Sequence, residues 1–174
     1  MKSNPSIKLG ISSCLLGNNV RYDGGNKLDH YLRDTLGQFI TWVPICPEAE
    51  CGLSVPRDAM DLIGAPDAPR LVTRDTGIDQ TDRIVQWANK KMVSLEQESL
   101  SGFVFKARSP SCGVHDTKLY SPSRRLIGMR PGLFAEMVMG RFPLMPVEDE
   151  EGLRDPGARE NFIERVFAYR LPQI

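Results

Sequence analysis

Residues 7–16 read IKLGISSCLL, a β-prone run with six apolar residues in ten that breaks at Gly17. A run of this kind is a buried strand emptying into a turn. ITWVPIC, residues 40–46, has the same character, although its Pro44 removes one ladder donor. GFVFK, residues 102–106, is a third and shorter example. Strands that are apolar throughout, rather than alternating, belong to sheets covered on both faces. Between them lie segments with helical spacing. In NKLDHYLRDTLG, residues 26–37, Leu28, Tyr31, Leu32 and Leu36 fall on one face, with Gly37 at the C′ position. Residues 79–99 carry Ile84, Trp87, Ala88, Met92 and Leu95 at 3–4 residue spacing. Residues 131–140 form a short helix burying Leu133, Phe134, Met137 and Val138 and closing at Gly140. A last helix starts at Asp155 (N-cap) and Pro156 (N1) and buries Phe162, Ile163, Val166 and Phe167. The Gly-, Pro- and Asp-rich residues 52–77 read as irregular. The expectation is an α/β fold: a single compact domain, 1–174, with a mainly parallel sheet flanked by helices. It is either complete or the first domain of a longer fused protein.

The 174 residues suffice for a substantial core, and 41% hydrophobic with 25% charged residues is ordinary for a globular protein. Lys plus Arg and Asp plus Glu both number 22, so the net charge is zero. That balance argues against a dedicated nucleic-acid binder. No apolar run reaches the roughly 20 residues of a membrane span, and Met1–Pro5 lacks the pattern of a signal peptide. The expected setting is cytoplasmic, without membrane attachment. Oligomeric state is unreadable. In a reducing compartment cysteines serve as ligands, nucleophiles or core residues rather than disulfide partners.

Four cysteines are present: Cys14, Cys46, Cys51 and Cys112. No CxxC pair exists, which excludes a zinc ribbon or a thioredoxin-type motif. Cys14, Cys46 and Cys112 each sit at or just past the C-terminal end of an expected strand, where parallel sheets place their ligand sites. Gly17, Pro47, Pro110 and Gly113 mark the three loops as able to bring amides close to sulfur. Read singly, each cysteine is also a plausible small core residue. Cys51 has no strand end of its own. Three thiolates suit either a [4Fe–4S] cluster with one open iron or a zinc ion completed by a histidine, for which His115 is the candidate. Glu48 lies two residues from Cys46 and can move protons beside a metal. Ser109 serves either a substrate hydrogen bond or the turn before Pro110. Asp23 in RYDGG is a candidate acid at the mouth of the site, or simply an Asp-Gly turn. Arg21, Arg57 and Lys106 offer positive charge. Lys106 is the least surface-like of the three, and with Asp23 it completes a candidate substrate-binding pair.

SSCLLGNNVRYDGG, PICPEAECGLSVPRDAMDL and FKARSPSCG together resemble the signature blocks of the DUF523 family, which includes the thiouracil desulfidases. FPLMPVEDEEGLRDPGARENFIERVF resembles the subgroup often fused to a DUF1722 domain, whose fused proteins in turn resemble desulfidases that act on 4-thiouridine, as a nucleoside or in tRNA. The resemblance spans about residues 7 to 170. It implies a [4Fe–4S] cluster on Cys14, Cys46 and Cys112, with Cys51 where relatives carry glycine and therefore not a ligand. It also implies an acid and a hydroxyl beside the cluster, at the positions of Glu48 and Ser109. The implied reaction activates a thione at the open iron and hydrolyses it to the oxo base and sulfide. The partners are a small thiopyrimidine or thiolated nucleoside, or tRNA. A cluster-bearing sensor or RNA-binding module without catalysis, and a three-cysteine zinc hydrolase, remain the alternatives.

Overall fold

The computed structural model describes residues 6–170. The chain opens with β1 (Ile7–Ser12), which ends two residues before Cys14; a 3₁₀ turn over Ser13–Leu16 closes at Gly17, φ 90°. The expected helix over 26–37 is a correction. Only a π turn at Tyr31–Thr35 and a 3₁₀ turn at Leu36–Gln38 form, and Gly37 lies inside the latter instead of capping a helix. The cause is tertiary. The amides of Lys27 and Asp29 donate to Cys14 O and Leu15 O, so this stretch lies against the Cys14 turn instead of coiling. Asp29 Oδ1 then accepts the Leu32 amide and starts the short turn.

The chain continues through β2 (Ile40–Ile45) into a single helical turn, α1 (Pro47–Glu50), with Cys46 at its N-cap and proline at its first position. Next comes a hairpin, β3 (Met60–Ala65) and β4 (Ala68–Thr73), where an irregular stretch was expected. Its alternation is real, since Met60, Leu62, Leu71 and Thr73 are buried, but turn residues on every side hide it in the sequence. The long helix α2 (Thr81–Glu98) and the short strand β5 (Phe103–Phe105) follow the expected bounds closely. β6 (Thr117–Tyr120) and β7 (Leu126–Arg130) form a second hairpin. α3 (Leu133–Arg141), β8 (Val147–Asp149) and α4 (Pro156–Arg170) complete the chain. Gly140 lies within α3, one residue before its end. Asp155 Oδ2 accepts the Ala158 amide at 2.8 Å, the expected cap of α4. Phe167, expected inside, is 53% exposed; α4 buries only Phe162 and Val166 fully.

The strands form two sheets. The first is wholly parallel, in the order β2-β1-β5-β8. The second, β4-β3-β6-β7, pairs β3 with β6 in parallel and is otherwise antiparallel. Both faces of the parallel sheet are covered, as its apolar strands require. Phe103 and Phe105 point to one face and pack with Ala88, Met92 and Leu95 of α2 and Phe134 and Val138 of α3. Val104 points to the other, with Leu9 and Ile11 against Leu32, Phe162 and Val166. The Phe103 and Phe105 rings stack with centroids 4.0 Å apart, and a Cβ at Gly10 would overlap the Phe103 ring. Glycine is therefore required where β1 passes that stack. The fold is α/β with a mainly parallel principal sheet flanked by helices. The adjacent order β2-β1-β5 sets the ends of those strands, and the loops after them, side by side.

Candidate metal centre

Three loops leave that edge, and each carries a cysteine. Cys14 sits in the 3₁₀ turn after β1, Cys46 caps α1 after β2, and Cys112 lies in the turn that follows β5. All three line one cavity of about 470 Å³. Cys14 and Cys112 are buried and Cys46 is half-buried. Burial pushes the Cys14 thiol up to about 11, against the opposing pull of Arg21. Burial likewise raises Cys46, and it raises Cys112 furthest, although hydroxyls of Ser12 and Ser111 oppose it. The Cys14 shift also carries a repulsion from Cys46, and the Cys112 shift one from both Cys46 and Cys14, so a charge on a neighbouring sulfur disfavours charging either of these two. Buried thiols of this kind become thiolates when a metal replaces the proton. Arg21 also lines the cavity, and its Nε is the buried side-chain nitrogen without a hydrogen-bond partner among the described residues. An unsatisfied buried donor beside three thiols suits an anionic group in the cavity.

The turn holding Cys112 is fixed by α3. Leu133 N donates to Pro110 O, and the amides of Phe134 and Ala135 donate to Ser111 O, so the first turn of the helix is capped by this loop. A Cβ at Gly132 would come within 2.6 Å of Ser111 C and 2.8 Å of Cys112 N. Ser109 is the turn's internal cap. Its Oγ accepts the Cys112 amide at 3.1 Å and the Ser111 amide at 3.3 Å.

Glu48 also lines the cavity, and both of its oxygens are engaged. Oε2 takes Arg57 Nε at 2.8 Å, in an ion pair whose side chains are 7% (Arg57) and 11% (Glu48) exposed. Oε1 accepts the Ser111 hydroxyl at 3.0 Å. Ser111 is buried, and its Oγ also lies 3.7 Å from Cys112 Sγ. The hydroxyl held on Glu48 is thus that of Ser111, two residues beyond Ser109. Ser109 lines the cavity too and lies 3.2 Å from the Ser111 hydroxyl, so it extends the chain by one link.

Lys106 lines the cavity at the end of β5. Its ammonium is already committed to Glu150 Oε1 at 2.5 Å and to Ala107 O at 2.9 Å. Asp23 is exposed and outside the cavity lining; its Oδ1 accepts the Gly25 amide at 2.9 Å, closing an Asx turn. Cys51 is half-buried, donates to Glu48 O at 3.2 Å and does not line the cavity. His115 is exposed and also outside the lining, grouped instead with Asp116 and Asp149. The cavity walls therefore hold no histidine. Among the described residues, that His-Asp-Asp group is the set of three or more such donors lying within 4.8 Å of one another. The three thiols are spread wider than this. Two thiolates sharing one zinc ion stand only about 3.8 Å apart at tetrahedral geometry and 2.3 Å bonds.

Sequence reasoning missed Ser111, which gives no signal of its own beside Ser109 in SPSC; it named Arg57 as a positive charge but not as the partner of Glu48.

The profile of the 2-thiouracil desulfurase family matches residues 9–150. A solved [4Fe-4S]-dependent thiouracil desulfidase, TudS, has 26% sequence identity and superposes with a TM-score of 0.69, covering 91% of this chain and 99% of that one. YbbK, an uncharacterised protein of Bacillus subtilis strain 168, is 30% identical over 108 residues, which is 59% of this chain and 71% of its own length.

Proposed function

From a chain that belongs to the 2-thiouracil desulfurase family, we infer an enzyme that removes sulfur from a thiolated pyrimidine, using a [4Fe–4S] cluster held by Cys14, Cys46 and Cys112. The observation that carries this is the convergence of three thiols, two buried and one half-buried, from three adjacent parallel-strand loops on one cavity. The donor set fits a cluster better than a single zinc ion. It lacks a histidine, its sulfurs are spread more widely than one ion allows, and an unpaired Arg21 donor accompanies it. When bound, a cluster with three thiolate ligands keeps one iron free to act as a Lewis acid toward a soft thione sulfur.

The residues of the chain then handle water and protons. Overall, thione and water give the oxo base and hydrogen sulfide, a hydrolysis that needs no external reductant. Ser111 Oγ, held on Glu48 Oε1, orients the attacking water by accepting one of its hydrogens. As that proton moves onto Ser111, the serine's own proton passes to Glu48, which serves as general base. Arg57 keeps the second carboxylate oxygen fixed, so only Oε1 is left to receive it. Lys106, neutralised by Glu150, contributes a rigid wall rather than a mobile charge. The cavity volume lies in the range that holds small molecules, which favours a thiopyrimidine base or nucleoside over tRNA as the substrate.

The test is anaerobic reconstitution, quantitation of iron, zinc and acid-labile sulfide, and then loss of thione absorbance with 2-thiouracil and with 4-thiouridine. Iron and sulfide with turnover on either compound support the reading. Zinc without iron, or tight tRNA binding by a protein that turns over neither compound, defeats it.

A further inference from the structure

We propose that Arg57 is the positioning residue of this site: it fixes the Glu48 carboxylate and, through the same guanidinium, the loop that lies against Cys46. The proposal rests on the desulfidase reading for what Glu48 does. Arg57 Nε donates to Glu48 Oε2 at 2.8 Å, and its terminal nitrogens donate to Val20 O at 2.8 Å and Ser54 O at 3.2 Å. The Arg57 amide donates to Tyr22 O at 2.8 Å. One residue therefore ties α1, the 54–57 segment and the 20–22 loop to each other. A guanidinium does this because its donors lie in a fixed planar fork, which an ammonium lacks.

The Val20 carbonyl is the informative acceptor. It takes Arg57 at 2.8 Å and the Cys46 thiol at 3.8 Å. A metal-bound Cys46 has no proton to give, so Arg57 is the donor that remains. The loop's position then depends on Arg57 when a cluster is loaded. Arg21 and Tyr22, which line the cavity, belong to this loop. Arg57 thus sets both the base and the wall facing it.

The test uses reconstituted holoenzyme of wild type, Arg57→Gln and Arg57→Lys. Arg57→Gln is expected to keep its iron and sulfide while kcat falls by about 10²-fold, the lower end of what a positioned general base supplies, with KM little changed. Arg57→Lys, which keeps the charge without the fork, is expected to recover only part of that loss. Hydrogen exchange in a peptide covering residues 17–25 is expected to be faster in both variants. If Arg57→Gln does not load a cluster, Arg57→Lys decides the matter. Wild-type kcat in the variant that loads, or unchanged exchange in residues 17–25, overturns the proposal. A wild-type protein that desulfurates nothing defeats the functional reading instead, and the exchange experiment then judges the loop-fixing role by itself.

Discussion

Replacing Ser111 with alanine and, separately, Ser109 with alanine separates two roles that sit two residues apart. Ser111→Ala removes the hydroxyl that donates to Glu48 Oε1 at 3.0 Å and leaves that buried oxygen without its donor. A hydrogen bond to a charged group is worth about 1.5–3 kcal/mol. If the bond is needed in the transition state, kcat falls about 10- to 100-fold. The backbone should not suffer, because the Ser111 carbonyl still accepts the Phe134 and Ala135 amides. Cluster content should therefore stay close to wild type. Ser109→Ala does the opposite. It removes the acceptor of the Cys112 and Ser111 amides and loosens the turn by about 1 kcal/mol, the usual cost of losing a cap. Its expected effect is a lower melting temperature and a faster-bleaching cluster, with kcat per loaded cluster reduced far less. The assay is thione absorbance loss normalised to iron content, together with thermal unfolding. Wild-type kcat in Ser111→Ala, or a kcat loss in Ser109→Ala larger than in Ser111→Ala, would refute the assignment of Ser111 as the proton relay.

Three further outcomes follow from the packing and the charges. Lys106→Met leaves Glu150 buried and unpaired; the loss of its 2.5 Å partner is expected to cost about 3–5 kcal/mol, read by denaturant titration, and Lys106→Met/Glu150→Leu should recover much of it. Gly132→Ala drives a methyl into the Ser111–Cys112 backbone and is expected to cost about 1–3 kcal/mol and to weaken cluster retention, whereas Gly24→Ala, where no atom lies within 4 Å but φ is 80°, should disturb the turn without touching cluster content. In cluster-free protein the folded state holds the Cys14 proton up to about 11 against 9.0 for an ordinary thiol, so stability from this group is fully present below pH 9 and is lost as pH rises toward 11, while the unfolded chain ionises first. Melting temperatures measured across that window should fall in wild type and fall less in Cys14→Ala.

The three strand-end cysteines were legible because β1, β2 and β5 are short apolar runs bounded by Gly and Pro, and a parallel sheet leaves little choice about where their ends meet. α2 was legible from five apolar positions at helical spacing, of which Trp87 alone stays half-exposed. The second sheet was not legible. β3 and β4 alternate over only six residues each, among cap and turn residues such as Asp58, Pro66 and Gly77 that dominate the local composition. The 26–37 segment failed for the opposite reason: its helical spacing is genuine, but Lys27 and Asp29 spend their amides on the Cys14 turn, a contact no local pattern encodes. The same limit applies within the site. Nothing in SPSC says which serine will meet a glutamate 63 positions away, and nothing in VPRD marks Arg57 as buried. Lys106 stands out in the sequence as a cation on an apolar strand and a candidate substrate-binding charge, but Glu150, the residue after β8, pairs with its ammonium, a partner no local pattern announces.

Iron and acid-labile sulfide per chain, measured anaerobically in wild type and in the four single cysteine-to-alanine variants, test the central claim most directly. Wild type and Cys51→Ala should each hold about four irons and four sulfides, while Cys14→Ala, Cys46→Ala and Cys112→Ala should lose both, along with their brown colour. Full cluster content with normal turnover in Cys46→Ala, or an empty Cys51→Ala protein, would contradict it.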